Sequence, residues 1–275
     1  MTQSQPTSVA SYVTGLLASG RLVFSRDQAQ AALGIGQGAF LDAAEKLQKR
    51  GQIFRARRGF YVAVPPQYLN WGCPPPAWFI DDLMRHEHAL YYVGLLKAAE
   101  LHGAAHQAVM EFQVVAIKQI KPLRAGRARI AFYFRKDFDA VATGIEEQKT
   151  DTGKMKVSSP ELTILDLFRY PQASGGLDNI ATALDELGPK ADPEKLAALC
   201  LAFERSVVQR AGYLLSKAGL REQAEKALAT LESGLATQWV ELDPSLGSDS
   251  DLAPAIVERD QRWRVLVRRI PERDA

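Results

Sequence analysis

The sequence predicts an α+β protein: an N-terminal winged helix-turn-helix followed by a larger mixed α/β C-terminal domain. Three observations carry that expectation. Residues 25–64 read as two helices, a glycine turn between them and a short basic hairpin. Residues 65–76 place five prolines in twelve positions, a stretch that neither a helix interior nor a central strand tolerates. Beyond them, β-branched and aromatic runs alternate with helical spacings of apolar residues. The expected organisation is a helix-turn-helix domain at residues 1–65, a proline-rich linker at 66–77 and a C-terminal domain at 78–275. A length of 275 residues suits two domains of about 100–200 residues each.

In order along the chain, residues 1–7 are polar and read as a frayed end. Residues 8–19 read as a helix with Val9, Tyr12, Val13, Leu16 and Leu17 on one face. Residues 21–24 read as extended, with Val23 against a wing strand. Ser25 is a helix N-cap, its oxygen placed to accept an orphan backbone N–H. Residues 26–33 form the first helix of the motif. Gly34-Ile35-Gly36 is the turn, because glycine tolerates positive φ. Residues 37–50 form the second helix, with Phe40, Ala44 and Leu47, and Leu41 beside them, as its inner stripe. Gly51 stops it. Residues 53–55 and 60–64 are two strands around Arg57, Arg58 and Gly59. Phe24, Phe54 and Phe60 are core candidates.

A helix of this size fits a DNA major groove, and cations beside it neutralise phosphates. The candidate DNA contacts are Gln37, Lys46, Lys49 and Arg50 on the helix and Arg55, Arg57 and Arg58 on the wing. Gln37, whose amide can pair bidentately with adenine, is the candidate for base reading. Asp42 and Glu45 on the same helix oppose phosphate, and small helix-turn-helix units also dock proteins. Charge favours DNA. Residues 1–65 carry eight Lys/Arg against three Asp/Glu and the remainder 26 against 29, within an overall net charge of +2.

The linker contains Tyr68 and Trp71, so it reads as an ordered strap rather than a free tether. Residues 79–84 and 88–101 read as helices, the second with Tyr92, Leu95, Leu96 and Ala99 inward. His86, His88, His102 and His106 have loose metal-like spacings, but no cysteine or carboxylate completes a set, and no metal is expected. Residues 109–115 and 129–134 read as the strands of one hairpin, decorated by Lys118, Lys121, Arg124, Arg127, Arg129, Arg135 and Lys136. Lys118, Lys121, Arg124, Arg127 and Arg129 form a second patch for nucleic acid or a protein partner. Charge of this kind also simply protects a sheet edge. Residues 145–156 read as a polar connection. Ser158 with Glu161 reads as a capping box, or Ser159 as the cap with Pro160 at the first helical position. Either starts a helix that buries Leu162, Leu165 and Phe168. Further helices run from Gly176 to Leu187, from Asp192 to Gly219 with a break or a continuation at Glu204, and over residues 221–233. Residues 238–242 look extended, 245–260 loop-like, and 263–268 a last strand at a sheet edge. The apolar side chains beyond the linker are numerous enough for residues 78–275 to fold alone.

A hydrophobic fraction of 47% with 24% charged residues suits a soluble globular chain. No run of about 18 apolar residues exists, so no transmembrane helix is expected. The N-terminus has neither a positive n-region nor an apolar core and does not read as a signal peptide. Cys73 and Cys200 lie far apart in sequence and suit free thiols in a reducing cytoplasm.

Residues 91–103 (YYVGLLKAAELHG), 158–171 (SSPELTILDLFRYP) with Gly175-Gly176-Leu177, and 210–215 (RAGYLL) carry a family resemblance. The chain resembles, over nearly its whole length, the AbiEi antitoxins, the repressor half of type IV bacterial toxin–antitoxin and phage abortive-infection operons. Ala211 departs from the leucine usual in the third block. The resemblance implies that the winged helix binds inverted repeats in promoter DNA and represses its own operon. It implies that the C-terminal domain counters a nucleotidyltransferase-like toxin, without stable contact being required, and that no cofactor is needed.

Two other classes compete. A metal-dependent nuclease built on Glu111, Gln113 and Lys118 needs clustered carboxylates, and only Glu111 lies on an expected strand. A regulator with an effector-binding C-terminal domain is the main alternative, although Gly175-Gly176 and Gly34-x-Gly36 lack the lysine or third glycine of phosphate-binding loops. The expectation is a non-enzymatic DNA-binding autorepressor and antitoxin.

Overall fold

Reciprocal side-chain caps set the starts of the first helices. The computed structural model describes residues 6–104, 109–232, 238–246 and 254–272. In it α1 (Val9–Ala18) begins at Ser8, whose oxygen accepts the Ser11 N–H while the Ser11 hydroxyl oxygen accepts the Ser8 N–H. After β1 (Val23–Ser25), Ser25 and Gln28 make the same reciprocal cap at 2.8 and 3.1 Å and open α2 (Arg26–Leu33). Gly34, at φ 65°, ends α2. Then come α3 (Gln37–Lys49), β2 (Ile53–Arg57) and β3 (Phe60–Ala63). The strands form an antiparallel sheet in the order β1-β3-β2, with Val23 opposite Val62. Phe24 stacks on Tyr61, and Phe40 of α3 meets Tyr61 edge-on, so helices and sheet share one core. Leu41 departs from the expected inner stripe and is 40% exposed. Phe40, Ala44 and Leu47 already occupy the inward arc, and the next residue lies about 100° further round the helix.

Packing divides the chain into two units, each assembled from several segments. One comprises Met1–Tyr91, Met110–Phe134 and Glu147–Lys156; the other comprises Tyr92–Val109, Arg135–Glu146 and Val157–Ala275. Neither unit coincides with the expected 1–65 and 78–275, and residues 66–77 are not the dividing line. They are a strap inside the first unit. Cys73 and Pro74 are buried, and the Arg127 N–H donates to the Trp71 carbonyl at 2.9 Å. Gly126 lies so close that a Cβ there would stand 2.1 Å from the Trp71 oxygen. Phe79 then packs edge-on to Phe54 at the start of α4 (Ile80–His86).

The single helix expected over residues 88–101 is instead β4 (Tyr91–Val93) and α5 (Leu95–Leu101). Tyr91, Tyr92 and Val93 are β-prone residues, and Leu95 takes φ 54°, a left-handed turn that a continuous helix does not contain. In the first unit β5 (Glu111–Ala116), β6 (Leu123–Ala125) and β7 (Ala128–Phe134) lie in the order β6-β7-β5. β5 and β7 are parallel, with Glu111 opposite Arg129, and so do not form the expected hairpin. The chain leaves β5, passes the place of β7, returns along β6 and turns at Gly126; the hairpin is β6–β7. β8 (Ile145–Thr150) and β9 (Gly153–Ser158) are neighbouring strands where the sequence reads as a connection.

In the second unit β4 and β9 are parallel at Val93 and Val157. α6 (Pro160–Arg169) starts on Ser159, whose oxygen accepts the Leu162 N–H, and Pro160 takes the first helical position. Ser158 instead shares a 2.7 Å hydrogen bond with the Thr163 hydroxyl. Every residue of α6 from Glu161 to Phe168 is buried. Around it lie α7 (Gly176–Leu187), α8 (Pro193–Cys200) and α9 (Arg205–Lys217), with α10 (Arg221–Glu232) packed on α8 and α9. β10 (Val240–Glu241), β11 (Glu258–Asp260) and β12 (Val265–Val267) form a small sheet in which β12 is central rather than at an edge.

The third sequence block has a structural reason here. Trp263 is buried on α9 at Gly212, where a Cβ would fall 2.1 Å from the indole ring. Gln209 Nε2 donates to the Trp263 carbonyl at 2.9 Å, and the indole N–H donates to Ser216 at 3.0 Å. Gly212→Ala is therefore expected to expel the indole and cost about 1–3 kcal/mol. A lowered urea midpoint with red-shifted tryptophan emission is the expected readout; an unchanged midpoint would show that the seat is not needed.

Candidate nucleic-acid interface

α3 presents Gln37 in its first turn and Lys46 and Lys49 in its last, all exposed, and exposed Arg50 follows at the C-cap. Cations in a last turn also complement the negative end of the helix, so their position serves the helix as well as a ligand. Lys49 meets Glu45 at 2.7 Å across one turn, and this contact holds the Glu45 carboxyl below its usual range. Both side chains are well exposed, so the pair contributes little and leaves Lys49 available to a phosphate.

On the hairpin, Arg55 and Arg58 are exposed and Arg57 is not. The Arg57 side chain is only 21% exposed. Its Nε donates to Glu87 at 2.6 Å and its Nη2 to the Lys121 carbonyl at 2.7 Å, while its guanidinium lies over the Phe132 ring. The ladder slips between Arg55 and Arg57, and such a bulge re-aims the side chain that follows it. Arg57 thus fastens the hairpin to α4 and to the loop before β6. That corrects its expected place among the exposed cations.

All five cations of the second expected patch are exposed, but two of them are engaged by partners. Lys118 Nζ donates to the Glu87 carbonyl at 3.0 Å, and Arg129 is paired with Glu111 at 2.9 Å. Arg135, read from sequence as one more hairpin cation, is buried in the second unit against Asp166. Two of the histidines lie within hydrogen-bonding distance of backbone carbonyls. His86 Nε2 is 3.3 Å from the Arg58 carbonyl, and His102 Nε2 is 2.7 Å from the Ser158 carbonyl. His106 lies outside the described residues. Trp71, whose presence in the strap suggests burial, is 58% exposed and lies beside Arg127. Local sequence carries no signal for that exposure.

Residues 92–217 match the family model for the AbiEi antitoxin C-terminal domain. No curated protein matches the chain. Among solved structures, the crystal structure of the RV2827C protein from Mycobacterium tuberculosis aligns with a TM-score of 0.68 at 17% sequence identity. That alignment covers 97% of this chain and 93% of that one. Likeness at this identity speaks for the mixed α+β fold alone.

Proposed function

Because residues 92–217 belong to the AbiEi antitoxin C-terminal domain family, we propose that this chain is the antitoxin of a bacterial type IV toxin–antitoxin pair and the repressor of its own operon. In this reading residues 1–65 are a winged helix-turn-helix that binds inverted repeats in promoter DNA, and the remainder counters a nucleotidyltransferase-like toxin without a cofactor. The observation that carries the DNA half is the arrangement of α3 and the β2–β3 hairpin. Gln37, Lys46, Lys49, Arg50, Arg55 and Arg58 are all exposed, while the apolar faces of the same elements close one core. Gln37 reads bases, the exposed cations contact phosphate, and Arg57 positions the wing. A non-catalytic role is supported by Glu111, the one carboxylate that the nuclease reading places on a strand. It is engaged by Arg129. Among the described residues no helix is long and apolar enough to cross a membrane.

Growth rescue on co-expression with the adjacent gene tests the antitoxin half. Titrating the promoter duplex across a salt series tests the DNA half. Lys49→Ala and Arg58→Ala are each expected to flatten the salt slope by about one unit. Gln37→Ala should reduce discrimination between promoter and unrelated duplex and leave the slope unchanged. Slopes identical to the parent in both lysine and arginine variants would remove α3 and the wing from the interface.

A further inference from the structure

Trp71 is a large aromatic residue held rigidly in the open. Its carbonyl accepts the Arg127 N–H, and its own N–H donates to the Tyr68 carbonyl, both at 2.9 Å. Tyr68 is in turn edge-on to Trp78. Gly72 and Gly126, both at positive φ, let the strap and the β6–β7 turn approach more closely than any side chain would allow. The backbone is locked, yet more than half of the tryptophan remains in water. The Arg127 guanidinium lies 5.6 Å from the ring centroid. Lys121, in the loop before β6, and Arg124, on β6, are both exposed and precede it in the chain, and residues 112–134 contain no carboxylate.

A fixed indole with an arginine beside it, at the end of a row of cations, matches the chemistry of an unpaired nucleic-acid strand. Phosphates meet the cations, and a base stacks on the ring. Duplex DNA does not offer the same contact, because its base faces are already stacked inside the helix. An acidic peptide satisfies the cations but leaves the indole without a flat partner.

We propose that Trp71, backed by Arg127, is a stacking platform for a base of single-stranded RNA or DNA whose phosphates lie along Lys121 and Arg124. The site uses residues other than the duplex contacts assigned to α3 and the wing, although Arg57 ties the wing to the Lys121 backbone.

The test titrates the full chain with labelled oligouridylate and oligothymidylate at low salt, following anisotropy and tryptophan emission. Both strands should bind and quench emission, and the tighter of the two identifies the preferred sugar. Trp71→Ala should weaken binding about tenfold or more, the loss expected for one stacked base, and Trp71→Phe should retain most of it. Arg124→Ala should weaken binding and flatten its salt dependence. Far-UV circular dichroism and unchanged promoter-duplex binding by Trp71→Ala would establish that the fold is intact. Lys49→Ala/Arg58→Ala should weaken duplex binding and flatten its salt slope while leaving single-strand binding unchanged, which separates this site from the promoter reading. Absence of single-strand binding by the parent chain would overturn the proposal. So would unchanged affinity in folded Trp71→Ala, or Trp71-dependent binding of polyglutamate in place of the oligonucleotides.

Discussion

Replacing Asp166 with alanine is expected to destabilise the fold by about 3–5 kcal/mol, the cost of breaking a buried ion pair from one side. Asp166 Oδ1 lies 3.3 Å from Arg135 Nη1, with side chains 0% and 1% exposed. The Tyr92 hydroxyl donates to Asp166 Oδ2 at 2.7 Å. Arg135 also donates to the carbonyls of Asp137 and Ala202, and its guanidinium lies 4.3 Å from the centre of the Phe203 ring. Without the carboxylate, a guanidinium and a phenol are left buried with an acceptor missing. Arg135→Met/Asp166→Leu should be less destabilised than either single variant, because removing both charges also removes their desolvation. Urea midpoints of the full chain measure all three. An Asp166→Ala midpoint matching the parent would mean that the guanidinium finds water or another acceptor.

The same group sets a pH dependence. Burial pushes the Asp166 carboxyl up to about 6, with the Arg135 charge and the Tyr92 hydroxyl pulling against it. In the unfolded chain it titrates near 4. Between those values the folded state binds the proton more tightly, so stability falls as pH rises from about 4 to about 6 and levels off above. The Asp166→Ala variant should lose this component of the slope, which a series of urea midpoints against pH would show.

A fragment of residues 78–275 is expected not to fold as an independent body, although its apolar content alone suggests that it should. The first unit includes Met110–Phe134 and Glu147–Lys156 together with the N-terminal segment. Cutting at residue 77 strips Phe54 from Phe79, Phe60 from the His86 ring, and Arg57 from both Glu87 and the Lys121 carbonyl. It also removes the strap that Gly126 packs against. The fragment should aggregate or show rapid proteolysis over residues 110–134, with that region protected in the full chain. A monomeric fragment that unfolds cooperatively and resists protease there would show that these contacts are dispensable, and would restore the boundary at the prolines.

Local sequence determined the elements whose causes lie within one or two turns of chain. The Ser25 cap and the Gly34 stop depend on neighbours three or four residues away, and so does the α3 stripe of Phe40, Ala44 and Leu47; a helix start at Ser158 or Ser159 was equally local, but the structure chose Ser159. Exposure of Gln37, Lys46 and Lys49 follows from the same periodicity. The tertiary structure alone decided which strands are neighbours, which arginines are free, and where the units part. β7 inserts between β5 and β6, and this makes a parallel pair of two strands that read as a hairpin. Arg57 and Arg135 look like their exposed neighbours in sequence, but their partners lie 30 and 31 residues away, and Tyr92 reaches Asp166 across 74. Trp71 is exposed for the converse reason: the glycines that lock its backbone fix the strap against the β6–β7 turn without covering the ring. Caps and periodicity are short-range and repeat in any fold, whereas burial of a charge depends on a surface that exists only once distant segments have met.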